Sequence, residues 1–581
     1  MESQDANSWM TSGAGHPRRW AILAVLVVSL LVVVLDNTVL NIALPTIQRD
    51  LNAAQSQLVW AVDSYILVFA ALLFTWGVMG DRYGRKKVLM IGLTIFGVAS
   101  AVCAFSVSTD MLIGLRAMMG IGGAAVLPTT LAIITVVFPP HERGKAIGAW
   151  AAAVGAAVAL GPVLGGILLA HPSWSSWLIG NDWGSVFLIN VPIVIVGLYF
   201  IWRVVPETKN PHARRLDIVG LVLSMCGLAL LIYGIIDASS TRNWLAPSVV
   251  IPIILGVVII AVFLWLEARS DHASFDVSLF RNRGYAVSLT AVSLSFFAMS
   301  GILFSLPFYL QILRGYGTLA AGLCFLPFAA GQLISAPRSN AMVDRFGYKP
   351  VITTGLVIVS IALFMLAHLQ LDTEIWIVLV TFFLFGLGMG NVMAPASTVM
   401  QNVLPLARAG AGSAVQNTVR QVFGALGVAV VGTVLATQYA ANLQPGLDAL
   451  PAQVPQAAKD AASESIIATV NVLGQAAQNG LPPELFATAR QGAFEAFLAA
   501  SHMTSYLALV VAVIAALVVG FMLPHITPPQ QGDRAVGAPA DPADALVKFE
   551  TANYATEAAE EYGTGADVVD TARAADPESG P

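Results

Sequence analysis

The stretch 77-GVMGDRYGRKKVL-89 decides how the chain is to be read, because its core is written a second time as 340-NAMVDRFGYKPV-351. Both contain D-R-x-G-x-K: Asp81, Arg82, Gly84 and Lys86 in one copy, Asp344, Arg345, Gly347 and Lys349 in the other. Each copy is a short basic connection between two long apolar runs. A second echo lies farther on, where Gly120, Gly122 and Pro128 parallel Gly388, Gly390 and Pro395. The two separations, 263 and 268 residues, are nearly equal, so the sequence predicts two homologous halves.

The apolar runs around these loops set the solvent. Of 581 residues 57% are apolar and 11% charged, against roughly 25% charged in a soluble domain. Runs of about 20 residues, long enough for a ~30 Å hydrocarbon core, fall at 20–44, 57–79, 87–107, 111–137, 144–170, 184–204, 216–236, 247–267, 285–311, 318–337, 351–369, 375–399, 409–438 and 500–523. The runs do not alternate polar and apolar as strands of a membrane barrel do. The fold class expected is an all-α polytopic membrane protein of fourteen transmembrane helices, two six-helix bundles plus two extra central helices. Parallel six-helix repeats enclosing a midplane site are a transporter architecture. The first run follows Arg18 and Arg19 as the apolar core of a signal peptide does, but its length, its successors and the missing cleavage site make it the first span.

Cations alternate between the two sets of connections. One set holds Arg82, Arg85, Lys86 and Lys87, then Arg143 and Lys145, Arg203 to Arg215, Arg269 to Arg283, and Arg338 to Lys349; the other holds little beyond Arg49, Arg242, Arg314, Lys459 and Arg490. Short Lys/Arg-rich loops stay cytoplasmic, which places both termini in the cytoplasm of a multi-pass cell-membrane protein. The expected organisation is a cytoplasmic tail 1–17, an N-terminal bundle 18–204, a linker 205–284 with two extra spans, a C-terminal bundle 285–523 with an outer loop 440–499, and a tail 524–581. That tail carries eleven acids against three bases and is Ala/Pro/Gly-rich, a composition that stays disordered. The Ala/Gln-rich outer loop suits amphipathic surface helices. Cys103, Cys226 and Cys324 fall inside apolar runs and read as small core residues.

Ionisable groups inside the spans point to function, since each costs about 2.5–3.5 kcal/mol or more unless paired or wet. In 35-LDNTVLNIALPTI-47, Asp36 lies about 12 Å below the span's outer end at about 1.5 Å per residue, with Asn37, Thr38 and Asn41 beside it. Arg116 in span 4 and Asp63 in span 2 fall at similar depth. A structural ion pair between Asp36 and Arg116 and an interfacial place for Asp63 are the plain readings. Burial disfavours a carboxylate's charge and a nearby guanidinium favours it, so such a site, opening on a wet crevice, can exchange a proton. Asp36, Arg116 and Asp63 are the proton-coupling candidates.

In the loops, Gly84 permits a tight turn, and Asp81 is placed to accept hydrogen bonds at a helix N-terminus. Arg82, Arg85 and Lys86 suit an anionic leaflet. The gating candidates are Gly77, Asp81, Arg82, Gly84, Arg85, Asp344 and Arg345. In 155-GAAVALGPVLGG-166, Gly155, Gly161, Pro162, Gly165 and Gly166 suit either close helix packing or a bend on which the helix rocks. Asn37, Asn41, Trp60, Tyr65, Trp150, Phe304, Phe308, Gln332 and Asn417 are candidates for a substrate cavity, with Phe69, Phe325 and Phe328 as further aromatics. Asn391 and Arg420 add polarity to the second half, and no acid accompanies them mid-membrane there. No G-x-x-x-x-G-K-[ST] loop is present, so ATP does not power the chain directly; no metal spacing and no nucleophile signature occur, so an enzyme is not expected.

These motifs resemble the fourteen-helix drug:proton antiporters of the QacA/EmrB type within the major facilitator superfamily, over about residues 18–440 plus the last span. The resemblance rests on 35-LDNTVLNIALPTI-47, 77-GVMGDRYGRKKVL-89, 116-RAMMGIGGA-124, 161-GPVLGG-166 and 416-QNTVRQ-421. It implies the major facilitator fold, with Asp36 linked to proton or cationic-drug recognition and Arg116 to proton transfer. It also implies that the loop after span 2 governs the conformational switch and that the glycine–proline motif of span 5 belongs to export. Gln332 stands where some relatives carry a drug-binding acid, which argues against a preference for divalent cations. The expectation is a proton-gradient-driven exporter of hydrophobic or cationic compounds, without cofactor, metal or nucleic acid, and a monomer in the bilayer. The alternatives are an exporter dedicated to one endogenous lipid, siderophore or antibiotic, and a non-transporting receptor or scaffold.

Overall fold

A computed structural model of the chain describes residues 15–525 apart from 175, 210–216, 242, 270–276, 403–408, 449–455 and 479–481. The acidic tail and most of the N-terminal tail lie outside the described residues. Helices account for nearly all of the rest, with no strand among the described residues. The first half comprises α1 (Arg19–Leu51), α2 (Gln55–Tyr83), α3 (Arg85–Cys103), α4 (Thr109–Gly123), α5 (Val126–Val137), α6 (Pro140–Ala170) and α7 (Asn190–Val204). Two helices follow, α8 (Ile218–Thr241) and α9 (Pro247–Glu267). The second half comprises α10 (Arg283–Phe308), α11 (Thr318–Leu323), α12 (Leu326–Phe346), α13 (Tyr348–Leu366), α14 (Ile375–Asn402), α15 (Ala409–Asp448), α16 (Gln456–Glu464), α17 (Ile466–Gln478) and α18 (Pro483–Met522).

Among the described residues, thirteen helical passes are long and apolar enough to cross a membrane, α4 and α5 forming one of them. The remaining pass is α6, a 31-residue helix whose described apolar part is Leu160–Ala170. Together they give the fourteen passes expected. α8 and α9 pack against one another, and α8 also against α2 and α15. Ile251, Ile254, Leu255 and Val258 of α9 are exposed, which hydrocarbon tolerates and water does not. The connection expected over 440–499 is shorter than its hydropathy suggests. α15 runs on to Asp448 and α18 begins at Pro483, with α16 and α17 between. Ala- and Gln-rich segments are good helix formers, so a helix persists where the apolar run has ended.

The internal repeat is visible as packing. The backbone of Tyr65 on α2 presses on Gly120, and that of Phe328, 263 residues on, presses on Gly386. Gly92 and Phe96 of α3 crowd Gly122, and Gly355 and Val359 of α13, again 263 residues on, crowd Gly388. A side chain at any of these four glycines would meet backbone, so the glycines are kept for close helix approach. This corrects the register read from the sequence: Gly120 corresponds to Gly386 and Gly122 to Gly388, not to Gly388 and Gly390. The two-residue slip was invisible because 386-GLGMG-390 offers glycine at every second position.

The halves meet at the face opposite the Gly84 and Gly347 loops. The Gln311 amide donates to the Ile42 carbonyl at 2.9 Å, and Thr318 Oγ1 donates to the Gly166 carbonyl at 3.3 Å. Gly322 of α11 abuts Pro162, Gly432 abuts Val59, and α17 touches α1. The bundles are therefore closed together at that far face.

Candidate functional site

α1 is 33 residues long and its Asp36 is only 2% exposed. The carboxylate is held by two other helices, one of which ties it to a third. Arg116 of α4, fully buried, pairs with Asp36 Oδ2 through Nη1. Asn190 at the start of α7 donates to Oδ1 at 2.9 Å and reaches Ser100 Oγ of α3 at 3.1 Å. Ser100 in turn donates to the Phe187 carbonyl at 2.8 Å. The rest of the guanidinium is also satisfied: Nε donates to the Ala61 carbonyl at 3.1 Å and Nη2 reaches Asn37 Oδ1 at 3.4 Å. The Tyr65 ring covers its face, 4.4 Å from the guanidinium carbon to the ring centroid. A buried pair is stable only where hydrogen bonds answer the remaining lone pairs and protons, and here they do.

Three expectations change at this site. Asp36 does not open on a wet crevice; in this conformation it is sealed against Arg116, so the plain reading of an ion pair describes its geometry. Tyr65 does not line a cavity but stacks between Arg116 and Phe69, whose ring lies 5.6 Å away. Asp63 is not interfacial: it is fully buried, and neither carboxyl oxygen has a hydrogen-bond partner. Sequence reading missed Asn190 and Ser100. Asn190, an amide inside the apolar run 186-VFLINVPIV-194, carried a usable signal; a serine in a membrane helix carries none.

The repeat explains why this constellation occurs once. In the register fixed by the glycines, Arg116 corresponds to Phe382, and Asp63 to Leu326. Phe382 packs on Phe325 at 5.6 Å and Phe385 on Phe328 at 5.5 Å. Aromatic rings thus fill the second half where charges fill the first.

On another side of α1, under the sealed face, lies a cavity lined by Thr38, Asn41, Ile42, Val158, Pro162, Leu303, Phe325 and Phe328. Asn41 lines it with a buried Oδ1 that lacks a partner. Phe304 and Phe308 do not line it. Both are fully buried in the second bundle, where Phe304 faces Gly432 and Phe308 packs on Phe497 of α18 at 6.5 Å. Trp60 sits against Tyr233 of α8 at 6.5 Å, and Trp150 donates to Thr130 Oγ1 at 3.2 Å. Gln332 and Asn417 are half-buried on α12 and α15.

The glycine–proline stretch forms the cavity's wall and the seal above it. α6 is one continuous helix through Pro162. Gly161 and Gly165 lie on Thr38 and Val39 of α1, and Gly166 on Thr318 and Leu319. Gly155 lies in α6, and its surroundings fall outside what is described.

At the other face, Gly84 has φ +118° and Gly347 φ +84°, values that exclude most side chains. Asp81 does not reach a helix N-terminus; it pairs with Arg85 at 2.8 Å, and Arg85 also donates to the Ala132 carbonyl of α5 at 3.2 Å. The acid at the N-terminus of α3 is Glu207, which accepts from the Lys86 amide at 3.2 Å. An anion at a helix N-terminus meets unsatisfied amides and a favourable dipole. Glu207 follows α7 in sequence and was not singled out. Gly77 faces Pro128, and Arg82 lies over Tyr83. The second copy is open: Asp344 and Arg345 are exposed, and a Cβ at Gly347 would point into open space. Cys103, Cys226 and Cys324 are free, with Cys226 exposed on α8 rather than in the core. No cluster of His, Cys, Asp or Glu suited to a metal occurs among the described residues.

Comparison with known proteins places this architecture. A family model for the Major Facilitator Superfamily matches residues 26–428. The chain is 33% identical over 452 residues to the multidrug efflux pump LfrA of Mycolicibacterium smegmatis, covering 78% of this chain and 88% of that protein. It is 30% identical over 474 residues to the methyl viologen resistance protein SmvA of Salmonella typhimurium, covering 80% and 90%. It is also 30% identical over 429 residues to the tetracenomycin C resistance and export protein of Streptomyces glaucescens, covering 72% and 77%. Among solved structures, a bacterial homolog of the human lysosomal transporter Spinster, inward-facing and unoccupied, matches with TM-score 0.60 at 15% identity, covering 87% of this chain and 98% of that one. At that identity the likeness concerns the fold. Matched over most of its length and built as two repeated bundles, the chain is a membrane transporter that belongs to the Major Facilitator Superfamily.

Proposed function

We propose that this transporter is a proton-coupled exporter of hydrophobic, often cationic compounds, working by alternating access. The positive loops orient it with both termini in the cytoplasm, so the sealed face is the outer one and the conformation is inward-facing. The observation that carries the reading is the sealed Asp36–Arg116 pair on one side of α1, with a cavity walled by Pro162 of α6 on another side of the same helix. A proton on Asp36 removes the charge that holds Arg116, and the pair can then part as the bundles rock. The paired state is the one expected after a proton has left to the cytoplasm and before a new one arrives from outside. Asp63, buried and unpartnered, is placed to hold a second proton. The gradient alone drives the cycle, with a single chain as the working unit. The names of LfrA and SmvA, a multidrug efflux pump and a methyl viologen resistance protein, support the substrate class. The tetracenomycin C export protein supports a second reading, export of one endogenous product; broad dye efflux counts against it.

Asp36→Asn keeps the shape of the site and removes the titrating group. In proteoliposomes with an imposed pH gradient it is expected to lower ethidium movement at least tenfold while the variant still inserts and elutes as folded protein. Ethidium movement at the wild-type rate eliminates the proposal.

A further inference from the structure

Arg420 differs from Arg116, which is fully buried and fully answered. Arg420 lies on α15, five residues into the apolar stretch Val415–Leu447 that is long enough to cross a membrane. Its guanidinium carbon is 4.8 Å from the centroid of Phe296 on α10, and its Nε is closed to solvent with no acceptor. None of the ion pairs among the described residues involves it, and the neighbouring stretch 403–408 contains no acid. Arg116, by contrast, has a carboxylate, a carbonyl, an amide and a ring.

The contacts of α15 with α10 give the setting. Gly424 faces Ser300 and Gly427 lies on Phe297, so Arg420, one turn earlier on the same face, looks at α10. There Ser293, a turn from Phe296, has a buried hydroxyl that also lacks a partner. The residue as a whole is partly exposed, so one edge of it is open to an arriving group. Magnitudes decide what is missing. A cation inside a span costs about 2.5–3.5 kcal/mol or more, whereas one cation–π contact returns about 0.5–2 kcal/mol. An anion with a planar, two-oxygen face matches the guanidinium fork, and the flanking ring favours an aromatic body behind it.

We propose that Arg420, with Phe296 and Ser293, forms a subsite in the C-terminal bundle for the carboxylate of an aromatic substrate, so that carboxylate-bearing dyes are recognised beyond neutral or purely cationic ones. The subsite rests on the exporter reading and extends it to zwitterionic and anionic compounds. Among the described residues no acid forms an ion pair with this guanidinium.

The test uses a matched pair of probes, tetramethylrhodamine with its free carboxylate and the methyl ester that lacks it. Binding to the purified full-length chain is read by fluorescence polarisation, and proton-driven movement of both dyes and of ethidium is read in proteoliposomes. The wild type is expected to bind the carboxylate dye at least tenfold more tightly than the ester. Arg420→Gln is expected to bring that preference down to about one, and Arg420→Lys to keep part of it. Equal binding of the two dyes by the wild type overturns the subsite, as does an Arg420→Gln variant that weakens both dyes alike. If Arg420→Gln does not fold, the wild-type comparison and Arg420→Lys still decide. Movement of ethidium and ester without a carboxylate preference sinks the subsite and leaves the exporter standing; movement of no dye by the wild type sinks both.

Discussion

Two buried carboxyl groups 27 residues apart behave in opposite ways because of what touches them. Asp36 is answered on both oxygens, by Arg116 and Asn190, whereas Asp63 is answered on neither. Replacing an orphan gives up no partner; breaking a pair strands a charge. Arg116→Met therefore is expected to cost about 3–5 kcal/mol, the loss typical of an uncompensated buried charge. Asp63→Asn gives up no hydrogen bond and removes an unanswered buried acid, so it is expected not to destabilise the fold. Thermal unfolding of the purified variants checks the contrast, and comparable destabilisation by the two would show that Asp63 has a partner after all. Asn190 belongs with Arg116: it fixes the second oxygen and ties the carboxylate to α3 through Ser100.

At the scale of elements, the two copies of the Asp-Arg-x-Gly loop have diverged in what they hold. In the first, Gly84 is enclosed by the Glu207 carboxylate while Arg85 ties Asp81 to α5. In the second, Gly347 has open space around it. Alanine at either position meets a positive φ, a strain of about 1–3 kcal/mol, but only at Gly84 would the new Cβ also displace Glu207 from the Lys86 amide. Gly84→Ala is expected to reduce transport several-fold more than Gly347→Ala, measured as initial ethidium efflux at matched expression. Equal loss in the two variants would mean that Glu207 plays no part in the latch. The glycines of α4 and α14 show the other use of the residue, since each is crowded by the backbone of a neighbouring helix.

For the molecule as a whole, the state observed depends on the seam between α6, α1 and α11. Gly166 lies so close to Thr318 and Leu319 that a Cβ there would come within 2.9 Å of the Leu319 Cα. Gly166→Leu is therefore expected to hold the outer face open. In a background with the native cysteines replaced, Asn41→Cys beneath that seam should then react several-fold faster with a membrane-impermeant thiol reagent added outside. Unchanged reactivity would place the seal elsewhere. The asymmetry of the halves is also a whole-molecule property. One bundle holds the paired charges, the other aromatic rings and a lone arginine, so a transported molecule meets different chemistry on its two sides.

The sequence by itself determined the solvent, the fourteen passes, the duplication and the identity of Asp36, Arg116 and the glycine–proline stretch as unusual. Length, hydropathy and buried charge are local properties that no tertiary context can conceal. It could not determine which residues meet, because contact depends on helix rotation and register. Asp36 finding Asn190, Glu207 replacing Asp81 at the α3 terminus, and Phe304 and Phe308 turning into the second bundle all follow from how helices are rotated about their axes. A stretch that is apolar all round leaves that rotation unmarked. The slip from Gly388 to Gly386 as the partner of Gly120 has the same origin, since only the backbone pressed against each glycine fixes its register. Tertiary structure alone also decided that Arg420 has no ion-pair partner among the described residues, for an unpaired group is defined by its surroundings and not by its place in the chain.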